Sequence, residues 1–152
     1  TFERYQEGQS IYSIEFVGWR YKADDIRAAI GLEQIKKIDD IQEKLSFAVS
    51  HYNALLGLKN PGTHLFPILV ENRQRAANFL KKQGIQTSIH YLPLHRMEGY
   101  RKYVAGMSTL GLPVTDYLGD HILSLPLFPS MTVEEVEYVA ENVKESRELI
   151  HS

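Results

Sequence analysis

The apolar positions of this chain follow two rhythms, and their order sets the expected architecture. Between Asp24 and His51, residues Ile26, Ile30, Ile35, Ile38, Ile41, Leu45 and Val49 recur at three-to-five-residue spacings with charged residues between them. That period is helical. Asp24 stands where an N-cap belongs, and Asp24 and Asp25 suit the positive end of a helix dipole. One helix running to about His51 is expected, roughly 40 Å long at about 1.5 Å per residue. A helix of that length needs a neighbour along its whole side, so it reads as a connecting arm.

Beyond it the period changes. Asn60-Pro61-Gly62 is a turn, because proline fixes φ and glycine allows positive φ. His64 to Val70 reads as a buried strand, with Pro67 arguing for an edge or a bulge. Asn72 to Gln83 is a helix capped by Asn72 and ended by Gly84. Ile85 to Tyr91 is expected as a second strand. Loop and short helix follow from Pro93 to Val104, then a loop of small residues to Pro113. Pro113 opens a helix to about Asp120, and Ile122 to Leu125 forms a third strand closed by Pro126 and Pro129. Thr132 and Glu135 form a capping box for the last helix, whose buried stripe is Val133, Val136, Val139, Ala140 and Val143. Ahead of all this, Ile11 to Val17 alternates loosely into a short extended segment ending at Gly18. The order from residue 64 predicts an α+β layer, a small sheet with helices on one face. The domains expected are a lead-in and long connecting helix over 1–57 and a small α+β domain over 58–152.

Composition narrows the class. Hydrophobic residues make up 43% and charged residues 24%, as in a folded domain. With 17 basic against 19 acidic residues the net charge is -2, which leaves no electrostatic footprint for nucleic acid. No apolar run approaches the roughly 20 residues that span a bilayer, and Thr1 to Ser10 is too polar for a signal peptide. There are no cysteines, so disulfides, thiolate metal sites and cysteine nucleophiles are excluded; a reducing cytoplasm suits this. The chain begins at Thr1 rather than Met, and a fragment, a processed product or an excised domain is expected.

Two segments could carry chemistry. His90-Tyr91-Leu92-Pro93-Leu94-His95 places two imidazoles just after a strand, where sites in layered folds tend to lie. The plainer alternative is a loop with one histidine hydrogen-bonded and the other exposed. Two histidines five apart without a carboxylate lack a metal signature. Gly18-Trp19-Arg20-Tyr21-Lys22 leads into the helix at Asp24, a setting suited to an anion; the alternative is that the aromatics pack and the cations face water. Asp24, Asp25, Glu134, Glu135 and Glu137 sit at helix starts, where acids are stabilising without any catalytic role. No glycine-rich nucleotide loop or nucleophile elbow is present.

Taken together, the segments resemble a known family. Gly18-Trp19-Arg20-Tyr21 followed by Asp25-Ile26-Arg27-Ala28-Ala29-Ile30-Gly31-Leu32-Glu33-Gln34 is similar to a lead-in and helix of the pyridoxal phosphate (PLP) dependent sugar aminotransferases named after DegT, DnrJ, EryC and StrS. His64-Leu65-Phe66-Pro67-Ile68, Gly84 to Tyr91, Pro93-Leu94-His95, Leu123 to Pro129 and Met131 to Val136 continue the match in order, over roughly residues 11 to 147.

This resemblance implies the C-terminal small domain of the aspartate aminotransferase (type I PLP) fold, whose parent is a three-layer α/β protein and a homodimer. It implies PLP in the parent, held mainly by an N-terminal domain absent here, and a nucleotide-linked keto sugar as amino acceptor. It assigns Arg20, where relatives commonly carry Asn, to the cofactor phosphate of the partner subunit, and His90, Tyr91 and His95 to substrate contact. PLP chemistry needs a lysine for the Schiff base. In the family that lysine lies upstream of the segment matching Gly18, and none of the lysines here fits it. The chain alone is therefore expected to bind no PLP and to be inactive. Relatives with histidine in place of the lysine act as sugar dehydratases, so a dehydratase fragment stays open, as do a stand-alone α+β binding or dimerising module and a split remnant.

Overall fold

The computed structural model describes residues 24–104 and 111–151. Its compact units part between Lys36 and Lys37, whereas the sequence pattern put the boundary near residue 57. The first unit contains helix α1 (Asp25–Ile35), capped by Asp24, whose Oδ1 accepts from the Arg27 N–H at 2.9 Å. No residue of α1 is buried, and Ile26, Ile30, Leu32 and Ile35 are all exposed.

The expected single long helix is two helices. The chain turns at Lys36 and Lys37, and α2 (Ile38–Leu56) starts afresh. Asp39 and Asp40 lie in its first turn, where they complement the new N-terminus. The apolar spacing runs unbroken across this turn, from Ile35 to Ile38, so periodicity alone concealed the break. At the far end α2 extends past His51 and stops at Gly57, whose φ of 66° is open to glycine.

The second unit continues with strand β1 (Phe66–Leu69), α3 (Arg73–Lys82), α4 (Arg101–Val104), α5 (Pro113–His121), β2 (Ile122–Leu125) and α6 (Val133–His151). It is mostly helical around a two-stranded antiparallel sheet, with Phe66 opposite Leu125, Pro67 opposite Ser124 and Ile68 opposite Leu123. Ser124 spends both backbone groups on Ser88, at 2.8 and 3.1 Å. The Pro67–Ser124 pair is thus non-hydrogen-bonded, and the missing N–H of Pro67 leaves no gap in the β1–β2 ladder.

The expected strand Ile85 to Tyr91 is reduced to the single bridge between Ser88 and Ser124. The cause is the end of α3. Gly84, with φ 75°, and Ile85 close a Schellman cap: Gly84 N–H donates to Lys81 O at 3.1 Å, and Ile85 N–H to Leu80 O at 2.9 Å. Ile85 is committed to the helix end, and its side chain packs beside Leu80 in the core.

Alternation on the strands and the three-to-four spacing on the helices meet in one core. Phe66, Ile68, Leu123 and Leu125 from the sheet face Ala48, Val49 and Tyr52 of α2, Ala76 and Leu80 of α3, and Val136, Val139, Ala140 and Val143 of α6. Tyr52 is fully buried; its ring packs tilted against Phe66, centroids 4.7 Å apart, and its hydroxyl donates to Pro126 O at 3.1 Å. Burial drives its phenol pKa up. The α6 capping box is present: Thr132 Oγ1 accepts from Glu135 N–H at 3.2 Å and Glu135 Oε2 from Thr132 N–H at 2.9 Å. Val133 is only half-buried, so the stripe begins one turn later than the sequence suggested.

Candidate functional site

The Ser88–Ser124 bridge sets the site's floor. Two residues after Ser88, His90 turns into a pocket of about 710 Å³ bounded by the 84–90 segment, the end of β2 with its following loop, and the start of α6. Two polar atoms of residues in this wall, His90 Nδ1 and Ser124 Oγ, are themselves shut off from solvent and have no hydrogen-bond partner among the described residues. Tyr91 meets the His90 ring edge-on at 5.0 Å, through a cis peptide, but its own ring is largely exposed and does not line the pocket.

His95 has a different setting. It sits in a short 3-10 turn (Leu94–Arg96), with Nε2 2.8 Å from Asp116 Oδ1 on α5. Arg96 beside it donates from Nε to Asp116 Oδ1 at 2.7 Å and from Nη1 to Asp120 Oδ1 at 2.5 Å. Asp116 and Asp120 are one turn apart on one helix face, so a single guanidinium reaches both. His95 first, and Arg96 second, hold the Asp116 carboxyl below its usual range; Arg96 does the same for Asp120. The two carboxylates in turn hold the Arg96 guanidinium above its ordinary pKa. Pro93 lies against Gly119 of α5, and Arg73 of α3 donates to the Gly119 carbonyl. The loop is thereby fastened to α5 at three successive points.

Of the residues singled out from sequence, His90 thus lines the pocket, Tyr91 flanks it and His95 is tied to Asp116. Arg20, with the whole Gly18 to Lys22 segment and the extended Ile11 to Val17, lies outside the described residues. Asp116, Asp120, Arg96 and Ser124 were not anticipated. The i,i+4 acidic pair on a short helix was the available signal for the clamp. Ser124, a hydroxyl between two core leucines, was the signal for a side chain on the opposite sheet face.

A family model, the DegT/DnrJ/EryC1/StrS aminotransferase family, matches residues 2–144. The chain belongs to that family. Its members are PLP-dependent aminotransferases. Over 95% of its length the chain is 33% identical to the uncharacterized protein MJ1066 of Methanocaldococcus jannaschii, covering 42% of that protein. It is 29% identical, with the same 95% and 42% coverage, to the spore coat polysaccharide biosynthesis protein SpsC of Bacillus subtilis. The crystal structure of a family aminotransferase from Brucella abortus superposes with a TM-score of 0.77 at 27% identity, over 92% of this chain and 40% of that one. The fold is therefore part of the type I PLP aminotransferase fold, and the chain spans about two fifths of the length of these relatives.

The pocket does not fit the family's cofactor. PLP needs a lysine amine at its aldehyde and donors for its phosphate. Among the described residues the lining holds neither lysine nor arginine and carries two carboxylates, Glu134 and Glu135. Among the described residues Lys36 pairs with Glu33, Lys44 with Asp40, and Lys102 lies 4.9 Å from the Tyr103 ring centre. Among the described residues no helix is long and apolar enough to cross a membrane, and no group of three histidine, cysteine or acidic side chains could hold a metal.

Proposed function

We propose that this chain is the C-terminal part of a PLP-dependent aminotransferase acting on a nucleotide-linked keto sugar. In this reading the remainder of the longer protein holds the cofactor. The chain supplies one side of the substrate site, and dimer contacts through α1. The observation that carries the reading is the family match over residues 2–144 at about two fifths of the relatives' length. The polysaccharide role in the SpsC name supports a sugar acceptor. The exposed isoleucines of α1 support a covered face in the assembled dimer. His90 is the proposed substrate contact, with Tyr91 beside it. His95 serves the site by holding the loop to Asp116, and Arg20 is the proposed contact to cofactor phosphate across the dimer.

The test compares the chain with the longer protein for PLP absorbance and for glutamate-dependent conversion of a nucleotide-linked keto sugar to its amine, read by mass. The expected outcome is cofactor and turnover in the longer protein and neither in the chain. Retention of PLP by the isolated chain would overturn the division of labour. A second reading, a self-sufficient binding module, has the closed core of the Lys37–Ser152 unit in its favour. It would gain if the longer protein lost no activity when this chain's His90 and Tyr91 were both replaced by alanine.

A further inference from the structure

The segment that carries His90 and Tyr91 is tied at both ends to one continuous piece of chain. At its start, Ser88 exchanges both backbone hydrogen bonds with Ser124 of β2, at 2.8 and 3.1 Å. At its end, Pro93 lies against Gly119, and His95 and Arg96 bond to α5. Helix α5 runs straight into β2, from His121 to Ile122. His90 and Tyr91 therefore stand between two anchors on a single helix–strand unit.

The second anchor fixes direction more than it adds stability. The Arg96 and Asp116 side chains are 36% and 39% exposed, and ion pairs so exposed contribute little to folding. Yet the guanidinium uses every nitrogen on α5. Nε donates to Asp116 Oδ1 at 2.7 Å and Nη1 to Asp120 Oδ1 at 2.5 Å. Nη2 donates to Asp120 Oδ2 at 3.1 Å and to the Asp116 carbonyl at 3.3 Å. A planar fork met on two edges is held in one orientation. His95 Nε2 shares Asp116 Oδ1 at 2.8 Å, so that one carboxylate governs both side chains.

We propose that Asp116 is a positioning residue for the keto-sugar side of the aminotransferase site, acting through Arg96 and His95 to set where His90 and Tyr91 stand, with Asp120 completing the fork. The role rests on the reading of His90 and Tyr91 as substrate contacts. Without the clamp the segment stays tied at Ser88 alone, and its contacts to a bound sugar are made only part of the time. Binding common to ground and transition states is lost, which raises KM and spares kcat. The cofactor, held elsewhere in that reading, is retained.

The experiment compares Asp116→Asn, Asp116→Glu, Asp120→Asn and His90→Ala in the longer protein. Glutamate is the donor, and keto-deoxyhexoses linked to uridine, thymidine or guanosine diphosphate are the probes. Turnover is read by mass, PLP content by absorbance and folding by Tm. Asp116→Asn is expected to raise the keto-sugar KM about tenfold, the effect of one good hydrogen bond, with kcat and PLP content unchanged. Asp120→Asn spares the His95 bond and should raise KM less; Asp116→Glu keeps a carboxylate within reach and should recover most of the loss. If His90→Ala raises KM while Asp116→Asn and Asp120→Asn leave it unchanged, the positioning role is overturned and the substrate reading stands. Parallel losses of kcat, PLP content and Tm, without a separate rise in KM, would reduce the clamp to a folding role and overturn the proposal too. No turnover of any probe by the unsubstituted protein, or an unchanged KM in His90→Ala, would overturn the substrate reading and this role with it.

Discussion

Gly119→Ala isolates the contact that fastens the His90–His95 loop to α5. Two effects oppose each other there. Alanine is favoured over glycine inside a helix by up to about 1 kcal/mol. The added Cβ, however, would stand 2.7 Å from Pro93 Cδ and closer still to Cγ, nearer than real Cβ contacts come. Pro93 is buried, and its ring cannot swing into solvent. Overpacking of this kind typically costs about 1–3 kcal/mol. The net change is a destabilisation of about 1 kcal/mol, or roughly 4 °C in Tm for a chain of this size.

Gly31→Ala in α1 is the control, since nothing lies within 4 Å of its Cβ position. The same chemical change should there raise helicity, read by circular dichroism, with no packing penalty. Adding Pro93→Ala to Gly119→Ala should recover more stability than Pro93→Ala alone allows, a coupling that a double-mutant cycle measures. If Gly119→Ala raises Tm as freely as Gly31→Ala raises helicity, Pro93 is not seated on α5 and the clamp is wrong.

Further outcomes concern the clamp's charges and the α6 cap. The folded-state pKa values of Asp116 and Asp120 are depressed, so their contribution is complete above the unfolded value of about 3.9 and is lost as pH falls through the depressed folded values. Carboxylate NMR titration should place both midpoints below that value and show the 93–96 loop releasing only in that acid range; midpoints at or above it would contradict the clamp. Thr132→Ala should cost about 1 kcal/mol by removing the bond to Glu135 N–H, read as a Tm fall of roughly 4 °C. An unchanged Tm would show that the capping box contributes nothing.

What the sequence determined by itself was local chemistry. Asn72, Gly84, Pro113 and the Thr132–Glu135 pair fixed helix ends because each acts through its own backbone or one a few residues away. The stripe of α6 was legible because a helix buries whatever recurs on one face. Family membership was also legible, since several short segments kept their order along the chain. Contacts between distant segments were not. Periodicity could not show the turn at Lys36 and Lys37, because two helices with one apolar spacing read as one. It could not show that Ile85 would be consumed by the cap of α3, which left a single bridge where a strand was expected. Nor could it separate His90 from His95: the two differ only through Asp116, 21 residues beyond His95, and through Ser124 on a neighbouring strand. Those assignments belong to tertiary structure, because a side chain's role depends on which partners the fold brings within hydrogen-bonding reach.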